Sequence, residues 1–289
     1  MATLCSLFGK TRQAYYSIEK RIDQRVVEQA IVLELVAQIR SDMPKIGTPK
    51  LHHMLSPSLK QHDIKMGRDA LHELLSNHGL LIRKKRRRVM TTNSRHRFRK
   101  YDNLTKNIEL TCSEQLWVTD ITYISLERGF CYLSLITDAY SGMVVGFCLY
   151  ETLASTGPIL ALRMALSSRK YYERPLIHHS DRGVQYCCDE YVQILNDNEI
   201  RISMAAKGNP YENPKAERMN GILKDELRLD TCFSNYDQAR EETRRAIHIY
   251  NHQRPHSSCD YLTPAQAHLK RGKLKSRWKK KGKNEKQKV

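Results

Sequence analysis

The stretch from Leu116 to Tyr150 constrains the fold more than any other part of the chain. Three apolar, β-branched or aromatic runs follow one another there: Leu116–Glu127 (LWVTDITYISLE), Phe130–Tyr140 (FCYLSLITDAY) and Met143–Tyr150 (MVVGFCLY). Only the pairs Arg128–Gly129 and Ser141–Gly142 punctuate them, and both are turn signals. Strands joined this tightly have to be antiparallel neighbours, because a parallel pair needs a crossover of about a dozen residues or more. The chain commits to a three-stranded meander before any other element is placed.

After the meander the pattern alternates. Pro158–Arg169 reads as a helix, Pro175–His179 as a short buried strand, Glu190–Asn198 as a helix, Ile200–Met204 as a strand and Asn213–Leu229 as a long helix. The order βββ-α-β-α-β-α predicts an α/β fold: a ribonuclease-H-like mixed five-stranded sheet with flanking helices. Asp237–Tyr250 adds a helix, and NHQRPHSSCDYLTPAQAHLK returns to loop and a last short helix. Upstream, residues 1–40 read as helical, with Ile22, Val26, Val27, Ile31, Leu35 and Val36 near a 3.6-residue period. Pro44, Gly47 and Pro49 break that run. The short helices Pro49–Leu55 and Gly67–His78 then form a helix-turn-helix-like pattern, with the second helix available to a DNA groove.

Charge sharpens the division. The formal net charge is +18, but Arg83–Lys100 holds ten basic residues and no acid, and Leu269–Val289 holds eleven basic residues and one acid. Each segment is therefore +10, which leaves the rest of the chain at −2. A near-neutral body with two basic segments suits a polyanion, since neutralising each phosphate releases counterions. Arg83, Lys84, Lys85, Arg86, Arg87 and Arg88 are the candidate phosphate contacts; the tail is equally readable as a solvated, disordered end. The expected organisation is a helical N-terminal region (1–82, helix-turn-helix-like over about 40–82), a basic linker (83–105), a catalytic core with C-terminal helices (106–268) and a basic, disordered tail (269–289).

No stretch approaches the roughly 18–20 apolar residues needed to span a bilayer, and the N-terminus lacks the apolar run of a secretory signal. Eight cysteines without a CxxC pair read as reduced thiols. Together these predict a cytoplasmic protein with no membrane partner, nucleoid-associated when bound to DNA.

Three acids carry the candidate chemistry. Asp120 stands inside the first strand, where a carboxylate is costly unless paired or metal-bound. Asp181 follows a short apolar strand at its C-terminal end, the place where open α/β sheets bind ligands. Glu217 lies on the long helix, with thirty-five residues between it and Asp181. Alone, each reads as a cap, a turn residue or a surface acid. Together, two acids from a sheet and one from a facing helix can hold two hard divalent cations, Mg²⁺ with Mn²⁺ as substitute, for displacement at phosphorus. His178, His179 and Cys187–Cys188 do not read as zinc ligands, because adjacent identical residues seldom ligate together. Asp138 is an alternative acid in a turn context. Asp225 and Glu226 point about 80° and 180° away from Glu217 on a helix.

WVTDITYI, HHSDRGVQY and GNPYENPKAERMNGILKDEL resemble the D,D-35-E signature of retroviral integrases and bacterial insertion-sequence transposases. The match is nearest to the second-reading-frame (OrfB) transposases of the insertion sequence three family, and it extends from LCSLFGKTRQAYY to YNHQRPHSSCDYLTPAQA. The resemblance implies that Asp120, Asp181 and Glu217 are the metal ligands. It also implies that Lys224, two helical turns beyond Glu217, contacts DNA. The implied function is metal-dependent strand cleavage and strand transfer on double-stranded DNA, at element ends and target, by a homo-oligomer. A fusion with an upstream-frame DNA-binding partner is implied too. Two other readings stand beside it: a hydrolytic ribonuclease-H-like nuclease, and a DNA-binding regulator with an inactive core. Gly183, Gly208, Asn209 and Pro210 read as loop formers beside the site, with Tyr211 and Asn213 near substrate.

Overall fold

The structure, a computed structural model, describes residues 7, 9, 11–82, 98–106, 108–205 and 214–277. The basic run Arg83–Arg88 lies outside the described residues, as do Gly208, Asn209, Pro210, Tyr211 and Asn213. Two compact units form, Met1–Lys84 and Lys85–Val289.

The first unit is helical. Helix α1 (Arg12–Asp42) begins at Thr11, whose hydroxyl accepts the Ala14 N–H at 3.0 Å, a side-chain cap for an otherwise orphan donor. Helices α2 (Thr48–Gln61) and α3 (Arg68–Asn77) follow. Helix α2 continues six residues past the expected end at Leu55, because Leu51, Leu55 and Leu59 keep a four-residue spacing and are all buried. They belong to the unit's core with Val32, Val36, Met43, Ile46, Leu71, Leu74 and Leu75. The first half of α1 differs: Ile22, Val26 and Val27 are each more than half exposed.

The second unit is a five-stranded sheet in the order β3-β2-β1-β4-β5. Its strands are β1 (Leu116–Leu126), β2 (Gly129–Asp138), β3 (Val144–Tyr150), β4 (Ile177–Ser180) and β5 (Arg201–Met204). The first three are antiparallel, and β4 and β5 run parallel to β1. This is the ribonuclease-H-like arrangement expected from the element order. Gly129 and Gly142 turn the meander with φ of 94° and 75°, values that cost glycine nothing.

Helices cover both faces. Trp117, Ile136 and Val145 pack on one face with α4 (Thr156–Ser168) and α6 (Asp189–Asp197), through Ile159, Ala161, Leu162, Ala165, Tyr191 and Leu195. Helix α4 lies so close to β3 that a Cβ on Gly146 would meet the Ala161 carbonyl at 2.2 Å. On the other face Leu116, Val118 and Ile177 pack against Ala216 of α7 (Pro214–Asp225). The short α5 (Val184–Cys187) follows β4, and α8 (Tyr236–His252) and α9 (Pro264–His268) close the chain.

Both basic segments enter the folded unit at one end. Phe98 and Tyr101 pack against the sheet core, and the Leu104 N–H donates to Ser203 Oγ at 2.8 Å on β5. Residues 269–277 lie along the same unit. The Gly272 N–H donates to the Thr111 carbonyl (2.7 Å), and Tyr140 donates its hydroxyl proton to the Gly272 carbonyl (2.8 Å). Composition placed both stretches outside the fold, yet tyrosine, phenylalanine and backbone bonding draw them in.

Candidate active site

Strand register brings two of the acids together. Val118 pairs with His179 across the parallel β1–β4 ladder, so continuing two residues sets Asp120 alongside Asp181. Side chains alternate along a strand, which puts both acids on the face of Leu116, Val118 and Ile177. Helix α7 packs on that face. It presents Glu217, Asn220 and Lys224 at spacings of three and four residues, one stripe of a helix.

Asn220 is the link that sequence reading missed. It is 9% exposed, and its Nδ2 donates to Asp120 Oδ2 at 2.7 Å. Its Oδ1 is buried without a hydrogen-bond partner. The signal available in the sequence was position: three residues after Glu217 and four before Lys224, on the same helical stripe.

Electrostatics reports the crowding. Asp120 is pushed up to about 7, first by burial, then by the negative charge of Asp181, with Glu217 adding to the repulsion. Hydrogen bonds from the Ile121 N–H (2.9 Å) and Asn220 pull the other way and do not cancel it. Asp181 is fixed locally: its Oδ1 accepts the Gly183 N–H at 2.9 Å, and a Cβ on Gly183 would sit 2.9 Å from that oxygen. Glu217 lies exposed in the first turn of α7. Among the described residues, no three His, Cys, Asp or Glu side chains stand as a ready-made cation cage.

Lys224 is placed beside the acids. Its ammonium lies 4.0 Å from the centroid of the Tyr123 ring, a cation–π contact three residues along β1 from Asp120. Burial pulls its pKa down, while Asp120, Asp230 and Asp225 push it back up.

The other candidates fall elsewhere. Asp138 is fully buried and accepts from Glu114 N–H (2.7 Å), Ser141 N–H (2.9 Å) and the Ser141 hydroxyl (2.7 Å). Its bonding marks it as a structural acid. His178 lies in the opposite core, its Nε2 2.9 Å from the Tyr191 hydroxyl, and burial drives it down to about 3, so its ring stays neutral. His179 Nδ1 meets Ser203 Oγ at 2.9 Å, and Cys187 and Cys188 are free thiols. On α3, the exposed residues Arg68, Asp69, His72 and Glu73 mix both signs of charge. Among the described residues no helix is long and apolar enough to cross a membrane.

Two family descriptions, both "Integrase core domain", match residues 111–210 and 198–264. The 31 kDa protein of insertion element IS600 from Shigella sonnei is 36% identical, over 91% of this chain and 96% of that one. The transposase of insertion element IS629 from Shigella sonnei is 29% identical over 72% of this chain and 70% of that one. The transposase InsF of insertion sequence IS3A from Escherichia coli (strain K12) is 36% identical over 53% of each.

Proposed function

Because this chain belongs to the insertion-sequence transposases built on an integrase-type catalytic core, we propose that its chemistry runs at Asp120, Asp181 and Glu217. It is a polynucleotidyl transferase that acts in transposition by DNA cleavage and strand transfer. One observation carries the assignment of residues: Asp120 is pushed up to about 7 by burial and by the charges of Asp181 and Glu217. Acids that repel one another at one point of a fold are stabilised by a cation between them.

The donor set fits hard divalent metals, Mg²⁺ or Mn²⁺, since every ligand is an anionic oxygen. Two such ions, when bound, would stabilise the entering and leaving oxygens of an in-line displacement at phosphorus. The protein's own residues do the arranging. Asn220 holds one oxygen of Asp120, Gly183 holds one oxygen of Asp181, and exposed Glu217 is free to turn inward from the first turn of α7. Lys224, drawn to the same place, offers its ammonium to a DNA phosphate. No acid attacks the substrate; water or a DNA 3′-hydroxyl does, so no covalent protein–DNA intermediate forms. DNA ends are read by the unit of α2 and α3, with phosphate contacts from Arg83, Lys84, Lys85, Arg86, Arg87 and Arg88. The working form is a homo-oligomer on DNA, fused to or bound by an upstream-frame partner.

The test uses a labelled element-end oligonucleotide, Mg²⁺ and a target plasmid. Wild-type protein gives joined product, and Asp181→Asn or Glu217→Gln lowers it on the order of a thousandfold. Joining at wild-type level in either variant would sink the assignment.

A further inference from the structure

The motif YNHQRPH at 250–256 takes no part in this chemistry, yet its Tyr250, Asn251 and Arg254 are buried. Tyr250 donates its hydroxyl proton to the Gly142 carbonyl at 2.9 Å. Asn251 accepts the Val144 N–H at 3.0 Å and donates to the Val144 carbonyl at 2.9 Å, completing a two-point bridge to the edge strand. Arg254, 1% exposed, donates Nε and Nη2 to the two oxygens of Glu226, both at 2.8 Å. Its Nη1 lies 2.7 Å from His256 Nε2.

Glu226 continues α7, with its N–H bonded to the Ile222 carbonyl at 2.9 Å. It lies nine residues beyond Glu217, which at about 100° per residue is half a turn away. Arg254 therefore grips α7 from the side opposite the stripe of Glu217, Asn220 and Lys224.

We propose that Arg254 is a positioning residue that sets the rotation of α7, and through it the direction in which Glu217 and Lys224 face Asp120. A single-point contact lets a helix roll. A guanidinium fork does not, because two parallel bonds fix the plane of the carboxylate as well as its distance. Tyr250 and Asn251 make the grip rigid by pinning the same end of α8 to the β2–β3 turn and to β3. The sheet that carries Asp120 and the helix that carries Glu217 thus share one anchor.

This inference rests on the assignment of Glu217 as a metal ligand, so the experiment separates the two. Full-length Arg254→Lys, Arg254→Gln, Glu226→Gln, the Arg254→Gln/Glu226→Gln double variant and Glu217→Gln are compared in two measurements. One is the Mg²⁺ concentration at the midpoint of the metal-induced rise in melting temperature, which reads binding without turnover. The other is kcat and KM for joining.

Arg254→Lys keeps the charge and loses the fork. It is expected to fold, to shift the Mg²⁺ midpoint up about tenfold and to lower kcat about ten- to a hundredfold, with KM for the end oligonucleotide within about twofold. The double variant is expected to be no worse than the poorer single one, because the pair acts as a unit. The proposal is overturned if Arg254→Lys leaves midpoint and kcat at wild-type values, or if the single losses multiply in the double. Full recovery of joining well below the variant's melting temperature would also overturn it, as a purely structural role predicts. Should Arg254→Gln fail to fold, Arg254→Lys and Glu226→Gln still decide. A wild-type Mg²⁺ midpoint in Glu217→Gln would instead defeat the ligand assignment itself.

Discussion

Glu114 and Asp120 are both carboxylates drawn into the sheet unit, yet the two acids are shifted in opposite directions. Burial alone raises Glu114, but hydrogen bonding to His268 and from the Lys170 (2.9 Å) and Tyr171 (2.8 Å) N–H groups outweighs it and leaves its pKa below the usual value. Arg169 Nε and His268 Nε2 each stand 3.8 Å from its carboxylate. Its neighbour Asp138 is equally well supplied, with three short hydrogen bonds and His268 Nδ1 at 3.8 Å. Asp120 faces two further acids, and the Ile121 N–H and Asn220 offset them only in part. In one cluster donors from the protein outweigh burial; in the other the repulsion between acids adds to it. Donors hold a fold together, whereas repelling acids favour a cation between them.

Exchanging the two roles breaks this comparison most directly. Asp120→Asn is expected to lower joining on the order of a thousandfold while raising the melting temperature of the metal-free protein slightly, since it removes a repulsion. Asp138→Asn is expected to do the reverse for stability. It weakens a buried network, with a cost on the order of 3 kcal/mol, read as a lower melting temperature. Equal destabilisation by both variants would show that the clusters do not differ in kind.

The pH dependence should differ in sign as well. The folded pKa of Asp120, about 7, exceeds the ordinary aspartate value of 3.8, so the folded state holds an extra proton between those values. Metal-free stability therefore falls as pH rises from about 4 to 7, by at most about 4 kcal/mol, and saturating Mg²⁺ removes the loss. Glu114 is shifted down, so its contribution is present above its ordinary pKa and disappears as pH falls through the folded value. Melting curves from pH 3 to 9, with and without Mg²⁺, check both slopes. An alkaline-side loss that persists unchanged in Asp120→Asn would assign it to another group.

The smallest expected effect concerns the donor shared by helix and strand. Asn220→Ala removes the 2.7 Å bond to Asp120 and is expected to cost about 1–3 kcal/mol of transition-state stabilisation, a loss of about ten- to a hundredfold in kcat. Unchanged kcat would mean that Asp120 needs no support from α7.

Much of this was legible in the chain because it depends on local pattern. Alternation and two-residue turns determined the meander, and the run of helix and strand signals after it determined a mixed sheet. The spacing of Asp120, Asp181 and Glu217, with the motifs around them, was enough to single out the acids. Sequence set Asp120 above Asp138 by motif and turn context alone; it could not show the donors Asn220 for the one and the Glu114 N–H for the other, which lie 100 and 24 positions away. Nor could it find a use for Arg254, whose partner lies twenty-eight positions earlier on another helix. Composition assigned residues 98–105 and 269–277 to linker and tail, whereas backbone bonds to Ser203 and Thr111 attach them to the sheet unit. Periodicity and spacing are properties of the chain and can be read from it. Hydrogen-bond saturation and charge crowding depend on which distant groups meet, and only the tertiary structure decides that.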